Sequence, residues 1–330
     1  MKLQILICDD SKLARKHTSN IINSLFDVDI FLAQNAEQAY AVLANQTIDV
    51  LLLDLNLPNI SGFDILEFIK PRYPSLKIIV ISADCQLKTK QKVAQLGAQL
   101  FLEKPIYSED VFLAFKQLGI NEPHQISAQT CPHAVTPDLI EASQELANIA
   151  MGNSASLFGL LYDRFVEIQS PSSYLSNLGQ LTAQLSTFPK DEISAVCQSF
   201  IGSGLSGEAM LLFNINGFEE MATIMEISEQ EHPEAEILVD LSNMLVGAFL
   251  AGFAELLACQ LNQNNPVILG HHLCLAEIFE NHRNSTEQHL VIEMNYRIPA
   301  TSIDCKLLVV IGEHSIAVLE NKLSKIKVWN

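Results

Sequence analysis

Four continuous apolar runs punctuate the first 104 residues, and each one stops at a polar side chain. The run 3–8 ends at Asp9-Asp10 and the run 48–53 at Asp54. The run 76–81 ends at Ser82, and 99–102 at Glu103-Lys104-Pro105. Runs of this length read as strands buried on both faces, as in a parallel sheet. Between them, apolar residues recur at helical spacing over 12–25, 36–44, 62–69, 89–96 and 109–118. Strand and helix in alternation predict a doubly wound, parallel-sheet α/β domain over residues 1–120. In such a sheet the residues just beyond the strands share one crevice at the carboxyl edge.

That crevice would hold three carboxylates, Asp9, Asp10 and Asp54, and like charges strongly disfavour joint ionisation. A hard divalent cation, Mg2+, removes the conflict and leaves room for a phosphoryl oxygen and water. The Ser82 hydroxyl and the Lys104 ammonium complete a cradle for an incoming phosphoryl group. The chemistry implied is phosphoryl transfer onto Asp54, forming an acyl phosphate. With all five positions in order, residues 1–120 resemble the CheY-like receiver domain of two-component signalling, a flavodoxin-like fold. The resemblance implies that Asp9, Asp10, Asp54 and Asn56 form the metal site and that Asp54 is phosphorylated by a histidine kinase. It makes Ser82 the switch hydroxyl, Lys104 the phosphate partner and Phe101 the aromatic switch. Asn56-Leu57-Pro58 and Gly62 match the loop after the acceptor.

Composition narrows the partners. The chain has 330 residues, enough for two or three domains, and carries 38 acidic against 20 basic residues, a net charge of −18. An acidic chain without a basic stripe argues against nucleic-acid binding. Seven cysteines without C-x-x-C spacing fit reduced thiols and a cytoplasmic protein. The amino terminus has no signal-peptide pattern. The apolar stretch 244–261 reads as a buried helix rather than a membrane insertion, because no positive flank accompanies it. Its small residues Gly247 and Gly252 leave a homodimer contact as one use.

Residues 121–137 contain three prolines and no apolar period, which reads as a linker. Cys131 and His133 within it are too few for a metal site, and so are His271, His272 and Cys274 further on. Over 138–330 the chain reads as duplicated at a constant offset of 95, in halves of about 138–228 and 233–325. Asn148 falls on Asn243, Gly152 on Gly247, Pro171 on Pro266, Leu212 on Leu307 and Gly217 on Gly312. Read without a gap, each half is helix, strand, strand, helix, and the two halves form one α+β domain about a pseudo-twofold axis. Gly202-Ser-Gly-Leu-Ser-Gly207 lies between two strand-like runs and predicts a hairpin turn rather than a nucleotide loop.

Each half opens on the same polar trio: Glu141, Glu145 and Asn148, then Glu236, Asp240 and Asn243. Spacings of four and three place each trio on one helix face. A carboxamide can donate to and accept from a water without titrating, so it can aim that water at an acyl phosphate. A carboxylate one turn earlier can grip the receiver's lysine. With Glu145-Leu-Ala-Asn148, Gly152 and Pro171 in the first half, residues 138–325 resemble the chemotaxis phosphatase family of CheC, CheX and FliY. The second half departs from that pattern, with Asp240 in place of glutamate. The resemblance implies that Glu145, Asn148, Asp240 and Asn243 are catalytic, with a phosphorylated CheY-like receiver as substrate, in trans or in cis. The competing expectation is a phosphorylation-gated adaptor that binds a motor-switch or receptor-modifying partner without catalysis.

Overall fold

A computed structural model of the chain describes residues 2–120, 138–185, 193–227, 233–270 and 287–326. The linker expected at 121–137, with Cys131 and His133, lies outside the described residues, as do His271, His272 and Cys274. The chain divides into two compact units, one built on Met1–Glu141 and the other on Ala142–Lys325.

In the first unit, strands β1 (Leu3–Cys8), β2 (Val28–Ala33), β3 (Val50–Asp54), β4 (Lys77–Ser82) and β5 (Leu100–Glu103) form one sheet in the order β2-β1-β3-β4-β5. Every neighbouring pair is parallel. Helices α1 (Lys12–Leu25), α2 (Ala36–Asn45), α3 (Gly62–Arg72), α4 (Leu87–Gln95) and α5 (Ser108–Gln117) alternate with the strands. Two apolar layers sandwich the sheet, because successive residues of β1, β3 and β4 point to opposite sides: Leu6, Leu51 and Ile78 to one, Ile5, Val50 and Ile79 to the other. Strand β2 is absent from the sequence reading. It is an edge strand in which only Ala33 is buried, so Val28-Asp-Ile-Phe-Leu presents no continuous buried run.

The second unit begins with α6 (Leu139–Tyr162), the short strands β6 (Glu167–Ile168) and β7 (Ser172–Ser176), and α7 (Leu178–Leu185). The long strands β8 (Ile193–Gly202) and β9 (Leu205–Asn214) follow, then α8 (Phe218–Met225). After it come α9 (Pro233–Leu256), β10 (Asn262–Gln263), β11 (Val267–Gly270), β12 (His289–Arg297), β13 (Asp304–Ile311) and α10 (Glu313–Leu323). All the strands join one antiparallel sheet, in the order β10-β8-β9-β13-β12-β6, with β11 also on β8 and β7 also on β12. The short strands of each half therefore flank the long outer strand of the other. The hairpin expected at 202–207 is present: β8 and β9 are joined by Ser203 and Gly204 at φ +50° and +82°. Positive φ at both positions is what a tight two-residue hairpin loop requires.

The gapless offset of 95 needs correction. At that offset Leu212 falls on Leu307, yet β9 and β13 pair Leu212 with Lys306, and Leu307 with Leu211. Directly paired residues share a sheet face, so Leu212 and Leu307 lie on opposite faces. At that offset Glu167 and Ser172 fall on Asn262 and Val267, the first residues of β10 and β11. Between those strands and β13 the correspondence slips by an odd number of residues. The pattern helix, strand, strand, helix also omitted α7 and the four short strands, which are too brief to show a period.

One face of this sheet packs Ile193, Ala195, Met210, Leu212, Val291, Leu308 and Val310 beneath Leu181 of α7. The other face meets α6 through the Ser154–Tyr296 hydroxyl bond (2.8 Å) and α9 through Gln198. Helices α6 and α9 cross where Gly252 approaches Ala150: a Cβ there would sit 3.4 Å from the Ala150 Cα. Among the described residues, only 234–256 is long and apolar enough to cross a bilayer, and 61% of that window is buried inside the molecule.

Candidate functional site

The acidic pair follows β1 because the chain must turn there into α1, and Ser11 caps that helix by accepting from the Ala14 amide (3.1 Å). The same turn fixes Asp9, whose Oδ1 accepts from the Ser11 amide at 2.8 Å while Arg15 donates to its carbonyl. Asp54 is the last residue of β3, 1% exposed, and accepts from the Asn56 amide at 3.2 Å. The loop after it folds back so closely that only glycine fits at 62: a Cβ there would stand 2.6 Å from the Asp54 carbonyl.

Carboxylate oxygens of Asp9, Asp10 and Asp54 all lie within 4.8 Å of one another. Lys104, 7% exposed, places its Nζ 2.8 Å from both Asp9 Oδ2 and Asp54 Oδ2. One ammonium thus offsets part of the charge that three carboxylates concentrate in a buried crevice. The remaining negative charge and the all-oxygen donor set fit Mg2+, which Asp9, Asp10 and Asp54 would hold. The bound cation would supply charge neutralisation for the phosphoryl oxygens. The acidic surroundings also act on Cys8: burial first, then Asp9 and Asp54, push its thiol up to about 12.

Ser82 ends β4, fully buried, and its Oγ accepts from the Asp84 amide at 3.1 Å. Asp84 is a site residue that the sequence reading missed. Its Oδ1 accepts from the Gln86 amide (3.0 Å) and Gln86 Nε2 (2.9 Å), and its Oδ2 from the Thr89 hydroxyl (2.7 Å). Asp84 therefore ties the loop behind Ser82 to the first turn of α4. No periodicity marks an isolated aspartate after a strand as buried, so the sequence held no signal for it. Phe101, half-buried, packs against the apolar layer and carries the Lys90 ammonium 5.6 Å from its ring centre.

Residues 5–116 match the family model for the response regulator receiver domain. The amino-terminal domain is a CheY-like receiver. A putative NtrX-like response regulator of Rickettsia felis is 30% identical over 119 residues, 35% of this chain and 25% of that protein. The chain thus spans about a quarter of the length of the curated relatives it matches. The CheY-like receiver of Methanospirillum hungatei superposes at TM-score 0.34 and 24% identity, covering 36% of this chain and 94% of that one. Thermotoga maritima FliY gives a TM-score of 0.46 at 19% identity, covering 59% of this chain and all of its own.

The second unit carries the repeated trios on α6 and α9, and the two differ in accessibility. Glu145 and Asn148 are 4% and 3% exposed. Asp240 and Asn243 lie on an exposed face of α9. Asp240 still reaches across electrostatically, helping burial to raise the Tyr162 hydroxyl at the end of α6. Glu141 is half-buried and Glu236 exposed. Beneath α9, Gln198 Nε2 donates to Asn243 Oδ1 at 3.0 Å. A cavity of about 370 Å3 lined by Glu167, Asn214, Asn295, Arg297, Asp304 and Lys306 includes neither trio.

Proposed function

We propose that this protein is a cytoplasmic signalling protein in which a Mg2+-dependent receiver is coupled to an aspartyl-phosphate phosphatase domain built from two pseudo-twofold repeats. A histidine kinase phosphorylates Asp54. The second domain hydrolyses the acyl phosphate of a CheY-like receiver, in trans or in cis. Ser82, Phe101 and Lys104 relay the phosphorylation state of Asp54. Support for the repeat comes from the sheet order, which reads two short strands, two long, two long, two short from either edge.

The observation that carries the reading is the pairing of Asp240 and Asn243 one turn apart on an open helix face. Asn243 orients a water for in-line attack, and Asp240 grips the lysine of the docked receiver. Glu145 and Asn148 form the twin pair, enclosed here, so the reading gives the open chemistry to the second half.

The test is phosphate release from a separate CheY-type receiver labelled with radioactive acetyl phosphate. The full-length chain carrying Asp54→Asn should shorten the label's lifetime, and Asn148→Ala with Asn243→Ala together should restore slow decay. An unchanged lifetime rejects the catalytic assignment. The burial of Glu145 and Asn148 supports a second reading, the phosphorylation-gated adaptor, recognised by capture that depends on beryllofluoride without faster hydrolysis.

A further inference from the structure

We propose that Gln198 is a positioning residue that presets the carboxamide of Asn243 on the open face of α9. The chemical role rests on the phosphatase reading above; the geometry does not.

Gln198 lies on β8, 1% exposed, beneath α9. A glutamine this deep needs its polar atoms satisfied, and they are. Its Nε2 donates to the Asn264 backbone carbonyl at 3.3 Å and to Asn243 Oδ1 at 3.0 Å, while its Oε1 accepts from the Ser242 hydroxyl at 3.0 Å. The orientation follows from one fixed atom. A backbone carbonyl only accepts, so the nitrogen end of Gln198 must face Asn264. That nitrogen then offers its second hydrogen to Asn243, whose facing atom must be the oxygen. Asn243 Nδ2 is left on the far side of the carboxamide, on the exposed face of α9. A side-chain amide otherwise flips between two broad orientations, only one of which puts the donor outward. Preorganisation of a donor before the charge develops is what makes such a group effective.

In the other half the matching strand position is apolar. With Glu167 and Ser172 set on Asn262 and Val267, the pairings of β6 and β7 with β12 and of β10 and β11 with β8 make Met294 the counterpart of Gln198. Met294 is fully buried and cannot donate a hydrogen bond.

Two measurements test this on the full-length chain. Gln198→Met, with similar length but no donor, should lower kcat for hydrolysis of a radiolabelled CheY-type receiver about ten-fold while leaving KM unchanged. Added to Asn243→Ala, the same substitution should change nothing further. A further fall in that background means a structural role and overturns the proposal. Independently, the side-chain NH2 resonances of Asn243 should show one fixed conformer in the wild type and averaging in Gln198→Met. An Asn243 amide that already averages in the wild type overturns the proposal whatever the activity. If the wild type hydrolyses no acyl phosphate, the phosphatase reading fails and the resonances alone decide whether Gln198 holds Asn243. Should Gln198→Met fold poorly, Asn243→Asp serves: it keeps an acceptor for Gln198 but loses the outward N–H, so stability should hold while hydrolysis falls. Hydrolysis retained in Asn243→Asp counts against the outward donor and overturns the proposal.

Discussion

In the receiver, Lys104 stands 2.8 Å from both Asp9 and Asp54, so a buried charge balances buried charges. On α9, Asn243 carries no charge and its oxygen is held by another neutral amide. The first arrangement suits a site that must gain and lose a phosphoryl group, because every step changes its charge and draws on Lys104 and the cation. The second suits a site that only orients, where rigidity matters and titration would interfere. The largest expected effect tests the charged site. Asp54→Asn should abolish labelling by radioactive acetyl phosphate, at least a hundred-fold loss, because a carboxamide cannot attack the phosphoryl group. Label persisting on the variant would mean that another residue is the acceptor.

Removing the counter-charge sharpens the contrast. Lys104→Met leaves Asp9 and Asp54 buried without their partner and should cost about 3 kcal/mol of folding stability in chelator. Mg2+ should recover part of that loss, since the cation takes over the ammonium's task. Urea unfolding with and without Mg2+ measures both, and a stability indifferent to the ion breaks the assignment of those carboxylates. On the neutral side, Asn243→Ala should slow hydrolysis about thirty-fold and Asn148→Ala less than about three-fold. The reverse order would show that the enclosed pair on α6 opens in solution and does the work.

The receiver site was legible because its residues stand where uninterrupted apolar runs stop, and a parallel sheet brings those ends together. Asp9, Asp10, Asp54, Ser82 and Lys104 all fall there. The trios on α6 and α9 were legible as pairs, but their accessibility was not. Both helices are small and apolar around most of their circumference, so spacing alone does not say which polar face is covered. Gln198 was invisible for a related reason. Within Ile193-Ser-Ala-Val-Cys-Gln198 a lone glutamine reads as a solvent-facing position of a strand, and only the pairing of β8 with β9 puts it under a helix. The slip that moves Leu212 and Leu307 to opposite faces was hidden likewise, because leucine is buried on either side.

The smallest effect concerns Asp84, where the charged site meets the loop behind Ser82. Burial raises the Asp84 carboxyl above its ordinary value, against the lowering effect of the Thr89 and Gln86 hydrogen bonds and of Lys90. A carboxyl raised in the folded state binds more protons there than in the unfolded chain. Between the ordinary value of 3.8 and the raised one, this residue therefore makes stability fall as pH rises. Asp84→Asn removes that slope. Its carbonyl still accepts from Gln86, and its NH2 donates to the Thr89 hydroxyl, which accepts as readily as it donates. Urea midpoints measured below pH 3.8 and again near pH 7 should therefore move in the variant's favour as pH rises. Subtracting the wild type cancels the other carboxyl groups common to both chains. A difference that stays flat with pH would mean that Asp84 remains ionised as easily as an exposed aspartate. The loop behind Ser82 would then be held by geometry alone, and the contrast between a charged receiver site and a neutral α9 site would end at Lys104.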